Sequence, residues 1–271
     1  MNILLHISDT HFGTEEPPVV AALQALVREQ KPDALVLSGD ITQRARSAQF
    51  AAARRFCDSL GIARVLTLPG NHDIPLYNVA ARMFSPYGGY RRAFGAELEP
   101  ELECLDLLLI GVNTTRPARH KDGEVSPAQI QRVVQRLRRA RREQLRVVVT
   151  HQPACVMRPE DEENRLHGGE AAVQAWAAAG ADLVLGGHIH LPYVSDLCAR
   201  AEGAPRAMYC VQAGTALSYR VRHGSPNSVN IIRWRPPSPG ERRLVRVERW
   251  DYDLADGRFE QTHPYDLKLG E

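Results

Sequence analysis

Short apolar runs alternate with helical patterns along the first half of the chain. Residues 2–7, 34–37 and 63–68 are apolar runs that predict buried strands, and residues 19–29 and 48–60 have apolar positions at helical spacing. This alternation predicts βαβ units with parallel strands. The remaining predicted strands are residues 105–112, 146–150, 182–185, 207–212, 229–234 and 244–250.

Helix signals continue into the second half. Ser126, Pro127 and Gln129 fit an N-cap, a first helical position and a capping-box residue, and a further helix is predicted over 170–179. From residue 207 onward the runs are β-like. We therefore predict one domain over residues 1–271, with 207–271 as its β-rich C-terminal part and a Pro-rich turn or loop at 236–240.

Residues 77–103 interrupt the alternation. Tyr87 and Tyr90 are interleaved there with paired glycines and arginines. This composition suits a cap insertion that leans over a site, in which case both tyrosines are candidate substrate-binding residues. A packed helical insertion with ordinary core aromatics explains it equally well.

Composition narrows the class of protein. With 271 residues, 44% hydrophobic residues and a net charge of +2, the chain can bury a large core and does not demand a polyanionic partner. The arginines within 132–146 fit a solvated helix face, with a nucleic-acid patch as the less favoured alternative. The five cysteines lack paired spacing, and no run approaches a membrane span or a signal-peptide core, so we predict a cytoplasmic protein.

Polar clusters rich in potential metal ligands follow five of the predicted strands. Because ligands bind beyond the carboxyl ends of strands in open α/β sheets, these clusters should converge on one crevice. The clusters are Asp9-Thr10-His11, Gly39-Asp40, Gly70-Asn71-His72-Asp73, His151 and Gly186-Gly187-His188-Ile189-His190.

The donor types favour two metal ions and phosphoester chemistry. Carboxylates, imidazoles and one amide oxygen suit Mn, Fe, Zn or Co better than thiolate-binding ions. At i,i+2 spacing in extended backbone, Asp9 and His11 should point the same way and share one metal region, as should His188 and His190. Two adjacent cations can generate a hydroxide and stabilise a displacement at phosphorus.

The order of the motifs is similar to a known pattern. D-x-H, G-D, G-N-H-D/E, H and G-H-x-H, matched between Asp9 and His190, resemble the calcineurin-like metallophosphoesterase superfamily. Within it, residues 9–12, 39–42 and 112–114 look most like the bacterial class III cyclic nucleotide phosphodiesterase group. The resemblance implies an α/β fold, a four-layer αββα sandwich with two central mixed sheets.

The resemblance also implies a role for each motif residue. It places Asp40 as the bridge between two metals and His72, steadied by Asp73, as the group that contacts the phosphate and protonates the leaving oxygen. The remaining ligands would be Asp9, His11 and His190 on the first metal, and Asn71, His151 and His188 on the second.

Two departures from the pattern limit the substrate. Many class III members carry two histidines and two prolines at the fourth motif, whereas this chain has His151-Gln152-Pro153-Ala154, which weakens the expectation of cyclic nucleotides. No Asp-Arg-Gly follows Gly39-Asp40, so the phosphate-gripping arginine of serine/threonine protein phosphatases is missing from its usual place.

We therefore expect a phosphoesterase that hydrolyses phosphodiesters through a hydroxide bridging two metals, with cyclic nucleotides as one candidate class. A broad phosphomonoesterase and a nuclease are the alternatives. A scaffold without activity is disfavoured, because His72 and every expected ligand are present. The expected partner is a small phosphorylated molecule, with Asn113 and Arg116 as further candidate contacts. No membrane partner is expected, nucleic acid is not favoured, and a homo-oligomer stays open.

Overall fold

The fold consists of strands and helices in near-regular alternation. The computed structural model describes residues 1–199, 204–236 and 244–269. The strands in these ranges are β1 (Asn2–Ile7), β2 (Ala34–Leu37), β3 (Arg64–Thr67), β4 (Glu101–Glu103), β5 (Leu107–Gly111), β6 (Leu145–Val149), β7 (Leu183–Gly186), β8 (Tyr193–Asp196), β9 (Tyr209–Gln212), β10 (Ser228–Trp234), β11 (Leu244–Asp253) and β12 (Arg258–Lys268). The α-helices are α1 (Pro17–Gln30), α2 (Ser47–Ser59), α3 (Val79–Phe84), α4 (Gly88–Phe94), α5 (Pro127–Arg138) and α6 (Gly169–Ala178).

The strands form two six-stranded mixed sheets. The first has the order β12-β11-β10-β1-β2-β3, and the second has the order β4-β5-β6-β7-β9-β8. In the first sheet β1, β2 and β3 are parallel, and β10 joins β1 in antiparallel register. In the second, β5, β6, β7 and β9 are parallel between antiparallel edge strands.

Three hydrophobic clusters define four layers. One cluster joins α1 and α2 to the first sheet, for example through Leu23, Phe50 and Leu35. Another joins α5 and α6 to the second sheet. The third lies between the sheets, where Leu4 and Val36 face Val147 and Leu185. This arrangement confirms the expected αββα sandwich.

Local sequence signals account for the element boundaries that the structure shows. The α5 helix begins with the predicted capping box, in which the Ser126 hydroxyl accepts from the Gln129 amide and the Gln129 side chain accepts from the Ser126 amide.

In the C-terminal part, β9 belongs to the second sheet and β10 to β12 extend the first. Of the loop predicted at 236–240, only Pro236 lies among the described residues.

The segment 77–103 divides into an exposed and a packed half. The α3 helix buries none of its residues, and Met83 and Phe84 are exposed. By contrast, α4 packs against α2, and the buried Tyr90 hydroxyl donates to the Thr67 carbonyl at 2.8 Å.

None of the helices in the described ranges combines the length and the apolar character that a membrane span requires.

Candidate metal centre

The ligand-rich clusters meet where the two sheets face each other. The amide of Asp9, after β1, donates to the Gly39 carbonyl after β2 at 3.0 Å. The His151 ring, after β6 of the other sheet, donates through Nδ1 to the Ser38 carbonyl at 2.8 Å. Gly39 permits this approach, because a side chain there would collide with the His151 ring. The parallel strands of both sheets thus deliver their carboxyl ends to one crevice.

The ligand atoms form two groups. Asp9, His11, Asp40 and His190 make the first, and Asp40, His151 and His188 make the second, with the ligand atoms of each group within 4.8 Å of one another. In the first group His190 Nε2 lies 3.1 Å from His11 Nε2 and 3.2 Å from Asp9 Oδ1. Two atoms bound at about 2.1 Å to one ion are separated by about 3.0–3.4 Å, so this spacing fits a shared ion.

Asp40 belongs to both groups through different oxygens. Its Oδ1 lies 3.3 Å from His151 Nε2, and its Oδ2 lies 3.9 Å from His11 Nε2. The Asn71 amide oxygen is 3.3 Å from the same His151 nitrogen, which brings it to the second group. A carboxylate placed in this way can serve one cation with each oxygen.

The backbone at these clusters is left-handed, which corrects one expectation. The φ angles are 53° at Asp9, 44° at His11, 47° at Asp40, 74° at His188 and 56° at His190. The described part of the chain has only two other non-glycine residues with positive φ. The predicted extended backbone at the i,i+2 pairs is therefore wrong. Asp9 and His11 nevertheless share one group, whereas His188 and His190 fall in different groups. Such strained residues cluster at functional sites.

Hydrogen bonds to the far ring nitrogens orient the imidazoles. His190 donates through Nδ1 to the Arg220 carbonyl at 2.5 Å, as His151 does to Ser38, and in both rings Nε2 is left for a metal. His188 Nδ1 is buried, and no partner for it lies within the described ranges. A cation would satisfy this nitrogen, so the donor set fits a metal pair on geometry as well as on chemistry.

Burial and neighbouring charges set the protonation of the ligands. Burial alone would raise the pKa of Asp40, but the adjacent imidazoles, His151 first, hold it well below its usual range. Burial lowers the pKa of His11 and of His188 to about 3, so both are neutral. Burial also acts to lower the pKa of His151, yet the charge of Asp40 raises it to about 9. Metal binding by His151 is therefore coupled to loss of its proton.

His72 lies beside both groups without joining either. Its Nδ1 donates to the Gln43 carbonyl at 3.0 Å, its Nε2 is 4.0 Å from Asp40 Oδ2, and the side chain is 20% exposed. An imidazole held in this way presents Nε2 to the crevice.

Asp73 acts on His72 through the backbone turn, and no hydrogen bond from the described residues joins its carboxylate to the His72 ring. Its buried carboxylate accepts from the backbone amides of Ile41, Thr42 and Gly70 at 2.8–3.0 Å. Burial raises the pKa of Asp73 to about 6, against these three donors. Asp73 therefore fixes the turn that carries Asn71 and His72.

Arg220 is a site residue that sequence reasoning missed. Its Nη1 donates to Gln43 Oε1 at 2.7 Å and lies 3.3 Å from His72 Nε2, while its carbonyl holds His190. Nearby, Arg222 pairs with the buried Asp161 at 2.7 Å. The composition of the stretch 220–230 indicates loops, and no motif links it to His72.

A cleft of about 410 Å³ opens onto the two groups. This size lies within the range of about 300–1,000 Å³ typical of small-molecule sites. Besides four of the ligands and His72, the cleft is lined by His120, Lys121, Asp161, Asn164, Ile189, Arg220 and Arg222. Of the basic side chains in this lining, Arg222 is paired with Asp161 and Lys121 with Glu163. The positive charge of Arg220, beside the ligand groups, suits an anionic substrate.

Four candidate substrate residues lie away from this cleft. Asn113 and Arg116 line a separate cavity, where the Arg116 guanidinium donates to the Asn113 carbonyl and to Gln129. Tyr87 is buried with its hydroxyl on Thr115, and Tyr90 is buried against Thr67. These placements correct the expectation, because the side chains satisfy interior groups instead of facing the metals. Whether 77–103 moves as a cap stays a prediction.

Part of the arginine-rich helix face is paired with carboxylates. Arg136 pairs with Glu101 at 2.8 Å and with Glu103 at 2.6 Å, both on β4. Arg132 pairs with Glu99 at 3.3 Å. These pairs weaken the positive field of the face and favour the solvated-face interpretation over a nucleic-acid patch.

Gln152 follows His151 in the fourth motif, and both ends of its side-chain amide bind residues outside the ligand groups. It is buried, and its Nε2 donates to the Lys121 carbonyl at 3.1 Å. Its Oε1 accepts from the Thr114 hydroxyl. The amide therefore holds the loop that brings His120 and Lys121 to the cleft.

A known family model matches most of the chain, and a curated relative matches part of it. The calcineurin-like phosphoesterase family model matches residues 3–192. The chain is 36% identical over 84 residues to the glycerophosphodiester phosphodiesterase GpdQ of Enterobacter lignolyticus (strain SCF1), a match that spans 26% of the chain and only 29% of that protein.

Solved structures agree in fold. A purple acid phosphatase from yellow lupin (Lupinus luteus) seeds has a TM-score of 0.69 at 12% identity, over 98% of this chain and 53% of the lupin chain. A dimetal phosphatase from Danio rerio has a TM-score of 0.64 at 12% identity, over 99% of each chain. Since the family model covers well over half of the sequence, the chain belongs to the calcineurin-like phosphoesterase family.

Proposed function

We propose that the chain is a phosphodiesterase that works with two bound ions drawn from Mn, Fe, Zn and Co. The observation that carries the proposal is the pair of ligand groups sharing Asp40, with His72 alongside. When bound, the ions supply a nucleophilic oxygen from water and neutralise charge on the phosphoryl group. The relative from Enterobacter, whose name gives a phosphodiester substrate, supports a diester over a monoester.

The chain's own residues supply proton transfer. With Nδ1–H donated to the Gln43 carbonyl, a second proton on His72 sits on Nε2, which faces the cleft. From there it can be given to the leaving oxygen. An alkoxide leaving group needs this help because it is a strong base, and general acids contribute about 10²–10⁴-fold.

Arg220 binds the phosphate in this proposal. Its guanidinium lies beside His72 and is fixed by Gln43, so it can donate to a non-bridging oxygen of the substrate. It would thereby have the role of the phosphate-binding arginine that follows the G-D motif in other branches of the superfamily. The neighbouring Arg222 lines the same cleft, with its charge balanced by Asp161.

We expect Arg220→Gln to lower kcat/KM about 10- to 100-fold, because a charge-assisted hydrogen bond contributes about 1.5–3 kcal/mol. Metal content should be unchanged, since the His190 contact uses the Arg220 carbonyl. Arg220→Lys keeps the charge and loses the planar guanidinium. Its kcat/KM should lie between those of the wild type and of Arg220→Gln. A Gln variant with wild-type kcat/KM would remove Arg220 from the phosphate site.

The function itself is tested by substrate comparison with added Mn²⁺. Bis-p-nitrophenyl phosphate should be hydrolysed faster than p-nitrophenyl phosphate, and 2′,3′- and 3′,5′-cyclic nucleotides then show whether the natural diester is cyclic. Faster monoester hydrolysis would favour the phosphomonoesterase alternative, and cleavage of single-stranded oligonucleotides would favour the nuclease. Metal-loaded protein that hydrolyses none of these would overturn the proposal.

A further inference from the structure

A second cavity, of about 270 Å³, adjoins the metal-facing cleft. The two share Asn71, His72 and His120, so His72 stands in the wall between them. No ligand of the first metal group lines the second cavity. A group that leaves toward His72 would therefore enter this cavity, while the phosphoryl group stays with the metals and Arg220.

The cavity is lined by basic side chains, and one of them, Arg44, is exposed. Its basic lining comes from Arg44, Arg82 and His120, and none of the carboxylates in the described part of the chain lines it. Arg82 is engaged, because its guanidinium donates to the carbonyls of Pro75 and Arg119 at 3.3 and 2.8 Å. Within the described ranges, no ion pair involves the exposed Arg44, whose guanidinium carbon lies 5.4 Å from the centre of the Tyr77 ring.

The loop that carries Arg44 is fixed to the catalytic turn. The Arg44 amide donates to Gln49 Oε1 at 3.0 Å, and the next amide, of Ala45, donates to the Thr42 hydroxyl at 3.0 Å. The preceding residue, Gln43, holds the His72 ring. The guanidinium lies within cation–π distance of the Tyr77 ring and is exposed, so its N–H groups can donate to an oxyanion. The backbone that carries Arg44 is thus held in a defined position relative to His72.

We propose that this cavity is a subsite for the leaving group and that it binds an oxyanion, carboxylate or phosphate, through Arg44. The proposal rests on the phosphodiesterase function above and adds a substrate class to it. The substrate is then a diester whose leaving alcohol carries a second negative charge. Tyr77, and not the buried Tyr87 and Tyr90, is the aromatic residue of 77–103 that shapes this choice.

The test uses three methyl aryl phosphodiesters with the same methyl phosphoryl part. Their leaving groups are 4-hydroxybenzamide, 4-hydroxybenzoate and 4-hydroxyphenylphosphonate. With the Mn²⁺-loaded chain we expect kcat/KM to favour the anionic leaving groups over the amide about fivefold, which corresponds to about 1 kcal/mol from a well-oriented, partly exposed ion pair. The oxyanion with the higher ratio identifies the natural chemistry, carboxylate or phosphate.

Arg44→Gln should bring the anion-to-amide ratio near one. The matched control is Arg55→Gln, which removes the same charge from an exposed position on α2 outside both cavities and should keep the wild-type ratio. A wild-type ratio near one, a ratio unchanged in Arg44→Gln, or an equal loss in both variants would overturn the subsite.

A binding measurement separates the subsite from turnover. Titration calorimetry of the Mn²⁺-loaded protein should show that 4-hydroxybenzoate binds about fivefold more tightly than 4-hydroxybenzamide, and that Arg44→Gln abolishes the difference. Equal binding of the two phenols would overturn the subsite. If no ester is hydrolysed, the phosphodiesterase proposal fails, whereas hydrolysis without anion preference removes the subsite alone.

Discussion

Asp40→Ala should abolish turnover and remove bound metal together. Asp40 contributes one oxygen to each ligand group, so its loss opens both groups at once. The ions supply several kcal/mol of transition-state stabilisation, so kcat/KM should fall about 10³-fold or more. Metal content, measured by mass spectrometry after gel filtration, should drop below that of the wild-type chain prepared in the same Mn²⁺ buffer.

The controls for Asp40→Ala separate metal loss from misfolding. Asp40 also accepts from the His72 amide at 2.8 Å, so the variant should be compared by circular dichroism and thermal unfolding. Asp58→Ala, at an exposed carboxylate on α2, should keep both metal and activity. A folded Asp40→Ala chain with full metal content would contradict a bridging role.

The sequence predicts well which strands carry the site, because the signals for these strands and for the polar clusters after them are local. Central parallel strands are buried on both faces, so β1, β2 and β7 read as short continuous apolar runs. Polar clusters directly after such runs must lie at the carboxyl edge of a sheet. By contrast, β12 was missed, since it is an edge strand with mostly exposed residues and an internal Pro264.

The distribution of ligands between two metals is less accessible from sequence. It depends on left-handed φ angles at non-glycine residues such as His188 and His190, which are uncommon even for the residue types that tolerate them best. The contact of Arg220 with His72 cannot be predicted from local sequence either, because the two residues are 148 positions apart. Aromatic composition also misleads, since the tyrosines of 77–103 divide between the interior and the cavity wall.

His72→Ala should lose most turnover while keeping both metals. The loss should depend on the leaving group, because a general acid matters most when the departing oxygen is strongly basic. We expect kcat to fall about 10³-fold with a methyl or glyceryl leaving group and about tenfold with p-nitrophenolate, which departs readily without a proton. Metal content and kcat are measured on the same preparations.

The contrast between leaving groups distinguishes proton donation from other roles of His72. A residue that only contacts the phosphate would lower kcat/KM for both substrates by the same factor, and a metal ligand would release an ion when removed. His263→Ala, at an exposed position on β12, should leave rates and metal content unchanged. Because Nδ1 is held by Gln43, the only ring atom that can meet the leaving oxygen is Nε2, and equal losses on the two substrates would contradict that geometry.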